Sequence, residues 1–186
     1  MSILILMRHG QSIWNLQNRF TGGVDVPLTR KGIKQAKKAG KELKKMGISV
    51  DYVYSSKLSR SIETARCVMN NLELTSKNKQ ITKVSALNER DYGDLSGKYK
   101  DELVKIYGEK KVLEWRRSFK ISPPKGESLE DVLKRIKPFL NKKILLVFDL
   151  QKLLLAFEIF LHLNSQLILK NLNLYNHHHL EFFLLL

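Results

Sequence analysis

Apolar positions along this chain keep two different periods. Residues 3–7, Ile-Leu-Ile-Leu-Met, form an unbroken apolar run of strand length, which predicts a short buried strand. Between residues 29 and 46 the period changes. Ile33, Ala36, Gly40 and Leu43 recur every three or four positions among lysines, which predicts an amphipathic helix with Thr29 as N-cap and Gly47 as its stop. Residues 50–54 read as a second strand. Residues 58–72 read as a second helix, with Ile62, Ala65, Val68, Met69 and Leu72 facing inward. Residues 81–87 read as a third strand. Two shorter helices, 101–107 and 110–117, are separated by Gly108, and Ser122-Pro123-Pro124-Lys125-Gly126 is a break. Ser128 and Asp131 stand as in a capping box and open another helix, whose apolar face is Leu129, Val132, Leu133, Ile136 and Phe139. Residues 143–148 read as a further strand. Strands alternating with helices predict an α/β fold with a mostly parallel sheet flanked by helices. In such sheets ligands bind at the carboxyl ends of strands, so the segment after Met7 is the expected site.

Composition narrows this picture. The chain has 186 residues, the length of one domain with a sizeable core. Its apolar opening run is too short for a secretory leader. The most apolar stretch, 144–169, is interrupted by Asp149, Lys152, Glu158 and His162, so no membrane span is expected. The single cysteine, Cys67, lies in a helical pattern and reads as a small buried hydrophobe. A cytoplasmic, reducing location is expected. Lys and Arg exceed Asp and Glu by 33 − 18 = 15. With no aromatic-interleaved basic patch and no nucleic-acid motif, the excess fits attraction of a small, highly charged anion rather than nucleic acid.

The chemistry concentrates after the first strand. Arg8-His9-Gly10-Gln11-Ser12 is followed by Trp14-Asn15 and by Asn18-Arg19-Phe20-Thr21-Gly22. A histidine at a strand end can be a nucleophile towards phosphorus. Arg8 beside it can neutralise the charge of a transferring phosphoryl group. Gly10 lets the backbone come close to an anion. Asn15, Thr21 and Arg19 add donors. On its own Arg-His-Gly is weak, because a packed structural histidine is the commoner case.

The longer string, with Asp25-Val26-Pro27-Leu28-Thr29, Ser55-Ser56, Leu58, Arg60-Ser61-Ile62, Thr64, Leu87-Asn88-Glu89-Arg90, Tyr92-Gly93, Gly97, Lys100, Trp115-Arg116-Arg117, Pro123-Pro124 and Glu127-Ser128-Leu129, resembles the cofactor-dependent phosphoglycerate mutases of the histidine phosphatase superfamily. The resemblance covers about the first 147 residues. It implies a three-layer α/β domain over 1–147 and an atypical segment over 148–186. It implies that His9 carries the phosphoryl group, that Arg8 and Arg60 clamp it, and that Glu89 shuttles the proton of the substrate hydroxyl. It implies substrate binding by Gly10, Gln11, Ser12, Asn15, Thr21, Gly22, Arg60, Glu89, Arg90, Tyr92, Lys100, Arg116 and Arg117. It implies 2,3-bisphosphoglycerate as primer, no metal, a small phosphorylated acid as substrate, no nucleic-acid or membrane partner, and a homodimer as one assembly the family uses.

Two departures stand against it. Asp91 takes a place where the mutases usually carry histidine. More seriously, the family follows its last matched strand with His-Gly-Asn-Ser-Leu-Arg, whereas here Phe148 is followed by Asp149-Leu150-Gln151-Lys152-Leu153. Asp149 aligns with a second catalytic histidine and Leu150 with the glycine. An ionised carboxylate there repels phosphate, and losing one such donor costs about 100- to 1000-fold in rate. Glycine and proline are absent after Pro138, so the tail lacks turn signals and reads as a poorly packed, shifted or decayed 3′ end. His177, His178 and His179 have no carboxylate or thiol partner at ligand spacing. Three readings follow: an impaired mutase, an inactive relative, and a residual phosphatase.

Overall fold

A computed structural model describes residues 3–48, 50–72, 80–143, 167–170 and 182–185. The elements are β1 (Ile3–Met7), α1 (Ile13–Leu16), α2 (Arg30–Lys45), β2 (Tyr52–Ser55), α3 (Ser59–Met69), β3 (Ile81–Lys83), α4 (Lys100–Tyr107), α5 (Glu109–Arg117), α6 (Leu129–Lys143), β4 (Leu167–Lys170) and β5 (Phe182–Leu185). The strands form one sheet in the order β3-β2-β5-β1-β4. β5 runs parallel to both β1 and β2, β3 runs parallel to β2, and β4 is antiparallel to β1. The expected mostly parallel α/β sheet is therefore present.

The long helices begin where their caps place them. Thr29 accepts the backbone N–H of Gly32 at 3.0 Å, and Ser128 and Asp131 exchange bonds, each side chain taking the other's N–H. α3 has no cap from its own Leu58. Instead Asp25 reaches in and accepts both the N–H and the hydroxyl of Ser59 at 2.7 Å. An acidic group at a helix start also opposes the helix dipole favourably. This bond fastens the loop after Thr21 to the start of α3.

One face of the sheet packs on α2 and α3. Ile5, Met7, Leu43, Val50, Val53, Ala65, Val68, Met69 and Leu72 make that core. Each of the larger side chains, Ala65 apart, contributes about 1.5–3 kcal/mol when fully buried. Gly40 lets the two helices touch, since a Cβ there would stand 2.8 Å from the Val68 carbonyl oxygen. Tyr54, adjacent to Val53 on β2, points the other way and meets Phe139 of α6 edge-on at 5.2 Å. Helices thus cover both faces, as a three-layer arrangement requires. A second cluster of Phe20, Leu95, Leu103, Val112 and Trp115 joins α4 and α5 to the segment after β1. It sits beside the carboxyl end of β1 and holds the loops that wall the site.

Some expected elements differ. β2 runs from Tyr52 to Ser55 rather than over 50–54. The third strand stops at Lys83 rather than 87, and Ser85–Leu87 form a 3₁₀ turn. The Ser85 carbonyl accepts the Asn88 N–H within that turn, and the Ala86 carbonyl turns to a side chain of α6 instead of a neighbouring strand, as described below. α1 was not expected, although Ser12 and Asn15 carry its signature: each accepts the other's backbone N–H in a capping box. The strand expected over 143–148 begins at Lys143, which is the last residue of α6; its remaining residues, Asp149, Leu150, His162 and the histidines at 177–179 lie outside the described residues. Two pieces of the atypical tail, β4 and β5, are strands of the sheet.

Candidate functional site

The carboxyl end of β1 delivers Arg8 and His9 to the top of the sheet, beside the first turn of α3. There His9, Arg60 and Glu89 meet. Arg60 donates from Nε to His9 Nε2 at 3.2 Å and from Nη2 to Glu89 Oε2 at 2.8 Å. His9 Nε2 and Glu89 Oε2 are 3.9 Å apart. A guanidinium can only donate and a carbonyl can only accept. The bond from Arg60 therefore makes Nε2 the lone-pair nitrogen, and the 2.7 Å contact of Nδ1 with Gly10 O makes Nδ1 the protonated one. The nitrogen facing Arg60 and Glu89 is the nucleophilic one.

Arg60 is 0% exposed. Besides His9 and Glu89 it donates to Gly22 O at 2.7 Å and Val24 O at 2.8 Å. It is thus a hub that fixes the loop after Thr21 as well as the imidazole and the carboxylate. Thr64, one turn along α3, accepts the Gly10 N–H at 3.2 Å and donates to Arg60 O at 2.7 Å. Gly10 was expected to admit an anion. The structure gives it a further reason: a Cβ there would stand 2.3 Å from Gly32 O, so its absence lets the turn after β1 lie against the start of α2. Gln11 belongs to the same contact, its N–H bonded to Gln35 and its side-chain oxygen to the Thr29 hydroxyl.

The remaining expected residues gather on one flank. Arg90, 5% exposed, donates to Tyr92 OH at 3.1 Å and to Arg116 O at 2.9 Å. It also lies 4.7 Å over the Tyr92 ring. Arg90 thereby ties Tyr92 to the end of α5 that carries Arg116 and Arg117, both exposed. Arg90 Nη1 and Thr21 Oγ1 are buried without a hydrogen-bond partner among the described residues. Ser12 and Asn15 sit close by but face each other across the α1 cap. Arg19 bonds Tyr99 OH at 2.7 Å and covers its ring.

Charge tells the same story. Burial opposes ionisation of Glu89, but the His9 ring, whenever its Nε2 gains a proton, and the Arg60 guanidinium outweigh it and hold the carboxyl below its usual range. Lys100 moves the other way for a cation: burial first, then the charges of Arg116 and Arg8, push its ammonium below the ordinary lysine range. A cation crowded by cations is the mark of a site shaped for an anion. Because the folded protein releases the Lys100 proton at lower pH than the unfolded chain does, stability rises with pH between those two values. Lys100→Met is therefore expected to raise the melting temperature of the ligand-free protein by on the order of a few degrees, to remove that rise, and to weaken phosphate binding. Calorimetric scans from neutral to alkaline pH, with and without phosphate, read all three. An unchanged or lower melting temperature would count against the crowding.

Several partners of the site were not singled out by the sequence. Asp25, Thr64 and Glu127 stand inside the matched blocks without an assigned role, and nothing in the sequence marks Arg135. Among the described residues no three His, Cys, Asp or Glu side chains are placed to hold a metal. No helix among them is long and apolar enough to cross a membrane.

A histidine nucleophile under a guanidinium hub, with a carboxylate beside it and cations on one flank, defines an α/β protein built for a phosphorylated anion. Comparison with known proteins makes the class specific. The sequence pattern of the Histidine phosphatase superfamily (branch 1) matches residues 4–145. The 2,3-bisphosphoglycerate-dependent phosphoglycerate mutase of Beijerinckia indica subsp. indica is 46% identical over 155 residues, which are 83% of this chain and 74% of that protein. The protein of the same name from Bradyrhizobium diazoefficiens is 48% identical over 77% of this chain and 68% of its own length. Among solved structures, a mycobacterial glucosyl-3-phosphoglycerate phosphatase complexed with VO3 is similar at a TM-score of 0.67 and 27% identity, over 76% of this chain and 67% of that one. The chain belongs to the histidine phosphatase superfamily, in the group of the 2,3-bisphosphoglycerate-dependent phosphoglycerate mutases.

Proposed function

We propose that this chain is a phosphoglycerate mutase that interconverts 2- and 3-phosphoglycerate through a phosphohistidine at His9. The observation that carries the reading is the His9–Arg60–Glu89 constellation at the end of β1, with Nε2 as the lone-pair nitrogen. Nε2 forms the bond to phosphorus as the bond from phosphorus to the substrate oxygen breaks, and Glu89 gives that oxygen its proton. In the reverse step Glu89 takes the hydroxyl proton back. Glu89 is ionised at rest. A phosphate dianion beside Arg60 draws on the same positive charge, which raises the Glu89 carboxyl towards the range where it can donate.

Arg8 and Arg60 hold the phosphoryl oxygens. Lys100, Arg116, Arg90 and Thr21 hold the far anionic end of the substrate, with Tyr92, Gly22 and Arg117 completing the wall. The unpartnered Arg90 Nη1 and Thr21 Oγ1 and the crowded Lys100 fit a doubly anionic ligand. The same groups fit 2,3-bisphosphoglycerate, which supplies the phosphoryl group that primes His9. No metal enters this scheme.

The Asp149-Leu150 pair favours a second, narrower reading of the same function. His9 takes up phosphate, but turnover is slow because Asp149 takes the place in the sequence order where the family's motif carries its second catalytic histidine. Incubation with 2,3-bisphosphoglycerate, followed by ³¹P NMR and mass spectrometry, is expected to place acid-labile phosphate on His9. Mutase turnover is expected at least about 100- to 1000-fold below that of a relative with the second histidine. Turnover equal to the relative's would remove the impairment. Absence of phosphate from His9 would remove the function itself.

A further inference from the structure

Glu89 lies in a segment, 85–92, that belongs to no strand or helix longer than one turn. Backbone pairing within a sheet does not set where its carboxylate stands. Arg135 of α6 reaches this segment from below. Its Nη1 donates to Ala86 O at 2.5 Å and its Nη2 to Asn88 O at 2.7 Å. The same guanidinium grips Glu127 in a two-pronged ion pair, Nε to Oε1 at 2.8 Å and Nη2 to Oε2 at 3.1 Å. Glu127 Oε2 in turn accepts the Asp91 N–H at 2.9 Å, and the Glu127 N–H donates to Asp91 O at 2.9 Å. Arg135 and Glu127 therefore hold the chain on both sides of Glu89. A third tie, the Lys57 N–H donating to Asn88 Oδ1 at 2.9 Å, joins that segment to the β2–α3 turn that precedes Arg60. Both members of the ion pair are about three-quarters covered, with side-chain exposures of 24% and 29%. Burial opposes the Glu127 charge, yet Arg135 and the Asp91 N–H keep its carboxyl below the usual range.

We propose that Arg135, braced by Glu127, is a positioning residue that fixes the Glu89 carboxyl between Arg60 and His9 for proton transfer. The proposal rests on the reading of Glu89 as the proton-transfer group. A planar, five-donor fork is the side chain that can serve two carbonyls and a carboxylate at once. Misplacement of a catalytic group by about an ångström costs on the order of 100-fold. The brace also draws the chain out of the sheet soon after Lys83: the Val84 and Ser85 carbonyls close the 3₁₀ turn, and those of Ala86 and Asn88 point to α6.

The test separates proton transfer from phosphoryl transfer. When Nε2 attacks the phosphorus of an alkyl phosphate, the departing alkoxide needs a proton from Glu89. When it attacks 2,4-dinitrophenyl phosphate, the phenolate leaves without one. Arg135→Gln is expected to slow His9 phosphorylation by 2,3-bisphosphoglycerate about 10- to 100-fold and to leave phosphorylation by 2,4-dinitrophenyl phosphate within about twofold. Equal loss with both donors, or loss with neither, overturns the proposal. A second readout needs no turnover: ¹³C NMR titration of the Glu89 carboxyl in the phosphate-free protein. The groups facing that carboxyl are the Arg60 guanidinium, the His9 ring, which is charged only when Nε2 is protonated, and, more weakly, Lys100. Its midpoint is expected to rise towards the ordinary glutamate range in Arg135→Gln, and an unmoved midpoint overturns the proposal. If wild type takes phosphate from neither donor, the mutase reading fails and the titration alone decides the positioning role. Glu127→Gln, which keeps an acceptor for the Asp91 N–H, is expected to shift both readouts in the same direction by less. It decides the matter if Arg135→Gln does not fold.

Discussion

His9→Gln is expected to abolish covalent phosphate uptake altogether, with a fall of more than about 1000-fold in any phosphoryl transfer from 2,3-bisphosphoglycerate. The reason is atomic. Nε2 is the nitrogen that carries the lone pair, because Arg60 Nε donates to it and Gly10 O takes the Nδ1 proton. A glutamine amide has no comparable nucleophile, but its oxygen can sit near the place of Nε2 and still accept from Arg60. The substitution therefore removes the chemistry while keeping the hub. The melting temperature is expected to stay within a few degrees of wild type, and phosphate is expected to stabilise both proteins alike, as a ligand bound only by the folded state does. Mass spectrometry after incubation with 2,3-bisphosphoglycerate, with scanning calorimetry beside it, reads both halves. Phosphate found on the variant would move the nucleophile to another residue. A collapse of the fold would make His9 chiefly a structural histidine.

The elements visible in the sequence are those with local signals. α2 follows from apolar spacing between a Thr29 cap and Gly47, and α6 from the Ser128–Asp131 exchange. The position of Arg8 and His9 at the end of β1 follows from a five-residue apolar run ending in charge. The central place of β5, between β1 and β2, had no local signal, because the tail has neither glycine nor proline to announce a turn. The 3₁₀ turn after Lys83 was hidden for a different reason. Ser85 and Ala86 are compatible with strand, and what bends them is a guanidinium from 49 positions further on. The same distance hides the Arg135 brace. Arg60 was legible as a cation of the site but not as its hub, since two of its partners are backbone carbonyls of Gly22 and Val24. Carbonyls carry no residue-type signature. Residue types in order mark the reacting groups, whereas the groups that hold them belong to the three-dimensional fold.

That hub role makes Arg60 the position where a single change does most damage to both stability and function. In Arg60→Ala, four acceptors lose their donor: His9 Nε2, Glu89 Oε2, Gly22 O and Val24 O. A fully buried side chain also leaves a void. Removing one partner of a fully buried ion pair costs about 3–5 kcal/mol; Glu89 keeps 33% of its side chain exposed, so the lower end applies, and for a chain of this length that lowers the melting temperature by on the order of 10 °C. Arg60→Lys is expected to recover only part, because one ammonium cannot reach four acceptors set around a planar fork. The acid limb of the stability curve changes as well. Burial is outweighed at Glu89 by His9 and Arg60, so its folded pKa lies below its unfolded value. The stabilisation it contributes is present above the unfolded value and is lost as pH falls through the folded one. Without Arg60 part of that difference goes, so the variant should lose less stability than wild type across the same acidic window, from a lower starting point. Glu89→Gln on the Arg60→Ala background should cost less than it does on wild type, since the two groups share one interaction. Urea unfolding of the four proteins of this cycle, repeated from neutral to acidic pH, measures each term. Additive losses, or an Arg60→Ala protein as stable as its parent, would show that His9 and Glu89 stand where they do without Arg60.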